Sequence, residues 1–105
     1  MKMNLAEFIN YFNAGAWWYN PAIPQRVAKV LSDIASKCNI PSDTPVELEY
    51  RKGSYGIGPG FHYTYEFTFK FPQHLASALS KFEEGVHHNT LVSVDGSSVS
   101  IYAEW

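Results

Sequence analysis

The sequence predicts an α+β fold, a two-layer domain in which a four-stranded antiparallel sheet carries three helices on one face, in the order ααββαββ. Three observations lead to it. Six aromatic residues, Phe61, Tyr63, Tyr65, Phe67, Phe69 and Phe71, occupy alternate positions without a break. Two N-terminal segments place apolar residues at helical spacing. Near the C-terminus, Asp95-Gly96 separates two short apolar runs, a strong local hairpin signal.

The elements follow in chain order. Leu5, Phe8, Ile9 and Phe12 form one helical stripe over residues 4–13. Asn4 is its N-cap and Glu7 the capping-box partner three residues on. Asn13 and Gly15 supply the stop. After Ala16-Trp17-Trp18-Tyr19, Asn20-Pro21 opens a second helix, with Asn20 as cap and Pro21 in the first turn. Val27, Val30, Leu31, Ile34, Ala35 and Cys38 are its stripe, and Asn39 and Pro41 end it.

Val46, Leu48 and Tyr50 alternate with Glu47, Glu49 and Arg51, which gives the first strand. Gly53 to Gly60 reads as a glycine-rich hairpin loop. The aromatic strand then runs from Phe61 to Phe71, with His62, Thr64, Glu66, Thr68 and Lys70 on its other face. A common buried face requires paired positions of opposite parity, since a slip by one residue buries Glu47 and Glu49. The expected partner of Leu48 is Tyr63 or Tyr65. Pro72 stops the strand. Leu75, Leu79, Phe82 and Val86 suggest a third helix. Should the strand after it run parallel to the aromatic one, the sheet is mixed and the crossover right-handed. Around Asp95-Gly96, Val94 is expected opposite Ser97 and Val92 opposite Val99. Trp105 continues the parity of the last strand and is expected at the sheet edge.

At 105 residues the chain reads as one domain, 1–105, long enough to bury a core without staples. A net charge of −2, with the basic residues scattered, gives no surface for nucleic acid. The single cysteine excludes an internal disulfide and fits a reducing compartment. Asn4, Glu7 and Asn10 interrupt any leader-like apolar run, and no segment has the length of a membrane span. A cytoplasmic protein is the expectation.

Catalytic and metal motifs are weak. Gly53–Gly60 lacks the strand-before, helix-after context of a phosphate loop. His62, His74, His87 and His88 match no metal-ligand spacing, and no metal or cofactor is expected. Cys38 falls on an apolar helical stripe, where a thiol is structural. Glu47, Glu49 and Glu66 share a strand face with His62, an arrangement that suits a solvated acidic surface better than an acid/base pair.

The leading functional reading is a non-enzymatic module that binds another protein. Its candidate contacts are Trp17, Trp18, Tyr19, Tyr55, Glu47, Glu49, His62 and Glu66. Inhibition of the partner fits this reading, and pairing of edge strand 97–103 into a homodimer is a variant of it. In size and style the chain resembles small bacterial accessory proteins such as toxin-neutralising immunity proteins and phage-encoded inhibitors. No motif carries that likeness, so it transfers no residue role. A small-molecule binder with an aromatic cleft is the second reading. A hydrolase or isomerase using His62 with Glu49 or Glu66 is the third.

Overall fold

The computed structural model of the chain describes residues 1–15, 21–57 and 60–104, with backbone alone at 54–57 and 60–63. The α+β class stands, with three helices and an antiparallel sheet, but the sheet has six strands rather than four. In chain order the elements are β1 (Lys2–Asn4), α1 (Leu5–Ala14), α2 (Ala22–Lys37), β2 (Pro45–Ile57) and β3 (Gly60–Lys70). A 3-10 turn at Gln73–Leu75 leads into α3 (Ala76–Leu79), followed by β4 (Gly85–His87), β5 (Thr90–Asp95) and β6 (Ser98–Glu104). The strand order is β1-β2-β3-β6-β5-β4, antiparallel throughout, so the mixed-sheet alternative is excluded, and the strand expected at an edge over 97–103 lies inside the sheet as β6, paired on both sides.

Helix α1 starts where its caps require. The Glu7 N–H donates to Asn4 Oδ1 at 2.8 Å and the Asn4 N–H donates to Glu7 Oε1 at 3.0 Å. Two further orphan donors of its first turn are met by the loop between α2 and β2: Leu5 N–H donates to the Thr44 carbonyl and Ala6 N–H to that of Ser42. Gly15 ends the helix in the left-handed region at φ +64°. Helix α2 begins at Ala22, directly after Pro21, while its expected cap Asn20 lies outside the described residues. Asn39, at φ +53°, turns the chain after α2.

The buried side of β3 is the one its aromatics mark. Tyr65, Phe67, Phe69 and Phe71 are buried, Thr64, Glu66 and Thr68 are half-buried, and Lys70 is exposed. Both long helices pack on that side. Phe8 meets Phe69 edge-on at 5.5 Å, and Phe12 meets Phe67 at 5.5 Å and Phe69 at 5.8 Å. Such T-shaped contacts suit the ring quadrupole and add to the area buried. From α2, Ile23, Val27, Val30, Leu31 and Ile34 complete this layer. Cys38 is buried at the end of α2, and that burial pushes its thiol pKa above the ordinary value, partly offset by Lys81 and Lys37.

Three local expectations are corrected. The loop between β2 and β3 is not residues 53–60. Positions 53–57 pair with 60–64, leaving a two-residue connection. A full ladder of backbone hydrogen bonds overrides the weak strand preference of these glycines. Leu48 therefore lies opposite Phe69, not Tyr63 or Tyr65, although the parity argument holds. Likewise Val94 pairs with Val99 and Val92 with Ile101, because the turn of the last hairpin is Gly96-Ser97. Gly96 at φ +60° occupies the first turn position, which favours glycine.

The third helix is the larger correction. It is one turn long, and Val86 lies in β4, 74% exposed, rather than on a helical stripe. A short helix has little to offset its nucleation cost. Here Leu79 and Phe82 are already buried after a single turn, and the chain re-enters the sheet through Gly85, whose φ of +133° favours glycine. His88 and Asn89, both at positive φ, then form a two-residue turn into β5.

Candidate functional site

With both long helices on one side, the other side of the sheet is left open. Strand pairing sorts it into rows. The first is Lys2–Glu47–Lys70–Ser98–Asp95, the second Glu49–Thr68–Ser100–Ser93, and the third Arg51–Glu66–Tyr102–Leu91–Val86. Gly53–Thr64–Glu104 makes a fourth. Antiparallel sheets with one hydrated face follow this pattern.

Of the residues singled out by sequence, Glu47, Glu49 and Glu66 come together on this face. Positions 55 and 62 pair directly in the continuation of the same ladder, but their side chains are outside the described residues, as are Trp17, Trp18, Tyr19 and Trp105 altogether. Neither Glu47 nor Glu49 lies opposite His62: Glu47 is opposite Lys70 and Glu49 opposite Thr68. Glu66 is four positions from His62 along β3, about 13 Å at ~3.3 Å per residue.

Glu49 instead forms an ion pair, its Oε1 2.6 Å from Lys70 Nζ. The hydrogen bond and charge of Lys70 hold the Glu49 pKa below the usual carboxylate value, and Glu49 in turn raises that of Lys70. Both groups are about half exposed, so solvent screens the attraction. The sign of the linkage follows. With its folded pKa depressed, Glu49 stabilises the fold above its unfolded pKa, and this is lost as pH falls through the folded value. With its pKa raised, Lys70 contributes below its unfolded pKa, and this is lost as pH rises through the folded one. A Glu49→Gln variant is therefore expected to melt slightly below the parent at neutral pH. The gap closes in acid, and it narrows with added salt. Thermal melts across pH and ionic strength check this.

Thr68 and Ser100 approach at 3.2 Å between hydroxyl oxygens in the middle of the face. Far from it, His88 Nε2 lies 2.8 Å from Asp33 Oδ2 and ties the β4–β5 turn to α2. Among the described residues no group of His, Cys, Asp and Glu could hold a metal ion. No helix among them is long and apolar enough to cross a membrane.

Sequence reasoning missed the apolar end of the third row. Val86 is 74%, Leu91 52% and Tyr102 41% exposed. One signal was available: Leu91 and Val92 are adjacent in a strand, so one of them must face away from the core.

Among the described residues, two clefts open near the start of the chain. One of about 460 Å³ reaches only Phe71 of the strand aromatics, beside Lys2, Pro45 and Pro72. Another of about 520 Å³ is lined by Met1, Tyr11, Leu48 and Tyr50. The second borders the packed rings, with Tyr50 meeting Phe67 at 5.2 Å and Tyr11 meeting Phe12 at 5.7 Å. No protein-family model matches the chain, and no curated protein or solved structure is significantly similar to it.

Proposed function

We propose that this protein is a non-enzymatic module that binds another protein through its open sheet face and blocks that partner, in the manner of an inhibitor or immunity-type protein. One observation supports the reading above the rest: a broad face, stiffened by six paired strands, presents charged, hydroxyl and apolar side chains together, and among the described residues no helix lies over it. Such a surface suits protein recognition, in which a few anchors sit within a polar surround. A small ligand asks instead for an enclosed apolar concavity.

Affinity capture from native lysate tests it, comparing the parent chain with a variant carrying Glu49→Lys, Glu66→Lys and Leu91→Ser. A stoichiometric partner on the parent, lost on the variant at unchanged melting temperature, is the expected result. Adding the purified chain then lowers that partner's own activity. Failure to retain any partner at micromolar concentration, or equal retention by both proteins, counts against the reading.

A further inference from the structure

Building on that reading, we propose that the docking site on the open face is its β4–β6 corner, and that the occupant is a protein segment with an apolar anchor flanked by Lys or Arg. Val86, Leu91 and Tyr102 are direct cross-strand neighbours on three consecutive strands. At ~4.8 Å between strands they form a continuous row about 10 Å across. All three are substantially exposed, unlike Val92, Val99 and Ile101 on the opposite side of the same strands. A single exposed apolar side chain means nothing, but a contiguous group on an ordered sheet marks a contact surface. A concavity of about 440 Å³ runs along this row, with Thr64 and Glu104 on its far wall.

Charge selects the occupant. Glu66 is paired directly with Tyr102 on one side and Arg51 on the other, and Glu104 stands two residues beyond Tyr102 on the same strand face. The described positions of the four rows carry three cations (Lys2, Arg51 and Lys70) against five carboxylates (Glu47, Glu49, Glu66, Asp95 and Glu104). None of the three cations is in β4, β5 or β6. That balance is net negative, so a basic segment complements the face better than a second copy carrying the same charges does. Strand addition is disfavoured as well. β4 is three residues long, and beyond it the Val94 N–H on the sheet edge donates to Glu84 Oε1 at 2.7 Å, so the chain closes its own edge. The occupant therefore lies on the face.

The test is selection of a random peptide library displayed on phage against the immobilised full chain, with affinities measured on synthesised winners. Enriched peptides should share a large apolar residue with Lys or Arg within a few positions. Leu91→Ser should weaken them by about tenfold or more. Glu66→Lys should weaken them and flatten their salt dependence, while Glu47→Lys, in the far row, changes little. Circular dichroism and melting confirm that each variant stays folded. Enrichment of acidic or uncharged peptides, or no enrichment, overturns the proposal. Peptides released by Glu47→Lys but not by Leu91→Ser sink the corner assignment and leave the open-face reading standing. Peptides indifferent to all three variants sink both.

Discussion

Replacing Phe69 with alanine is expected to destabilise the fold by about 3–5 kcal/mol, the range for deleting a fully buried aromatic ring. Phe69 has no exposed surface. Its ring meets Phe8 and Phe12 edge-on, and its strand neighbours are Leu48 and Val99. Three elements, α1, β2 and β6, thus converge on this side chain, and none can collapse into the vacated space without breaking other contacts. Domains of this size have a total stability of about 5–15 kcal/mol. The variant therefore keeps a small margin, and its urea midpoint should fall sharply at nearly unchanged slope. The neighbouring position supplies the control. Thr68 is on the opposite face, and Thr68→Ala removes one half-buried hydroxyl contact to Ser100. That loss is expected to be about 1 kcal/mol or less. If the two substitutions cost the same, the sidedness of β3 is wrong, and with it the assignment of the open face.

That sidedness was legible because alternation over eleven residues is a long signal, and a period of two admits only one strand orientation relative to the core. The start of α1 was legible for a different reason: Asn4 and Glu7 satisfy each other's backbone donors, and local chemistry of that kind does not depend on the rest of the fold. What could not be read were the short elements. β1 and β4 are three residues each, too few for any periodicity, and they exist because neighbouring strands offer them hydrogen bonds. Val86 shows how such an element misleads. Its spacing from Leu79 and Phe82 fits a helix, and only the positive φ values of Gly85, His88 and Asn89 turn the segment into a hairpin instead. The register error at Leu48 has the same root: parity follows from hydrophobic pattern, whereas offset follows from loop length, and the glycines of 53–57 concealed where the loop begins. The apolar corner went unseen because its three residues come from three strands and meet only once those strands pair.

Gly15→Ala is expected to cost more than about 2 kcal/mol, because two independent penalties fall on one position. The first is conformational: at φ +64° an L-residue is in the left-handed region, which costs roughly 1–2 kcal/mol. The second is steric. A Cβ added at Gly15 would be 2.6 Å from Pro21 Cβ and 3.2 Å from Pro21 Cα, and neither is the free end of a flexible side chain. Relief would require the start of α2 to move away from the end of α1, opening the helix pair that covers Phe67 and Phe69. The two penalties separate by comparison with Gly96. That glycine has nearly the same φ, +60°, but nothing within 4 Å of the position its Cβ would take. Gly96→Ala should therefore show the backbone cost alone, and Gly96→Asn should be milder still, since asparagine tolerates left-handed geometry. At Gly15 asparagine recovers only the backbone part and still meets Pro21. Denaturation of the four variants gives the contrast directly: Gly15→Asn clearly destabilised, Gly96→Asn close to the parent. If Gly15→Asn is as stable as the parent, the two helices do not approach as closely as Pro21 indicates.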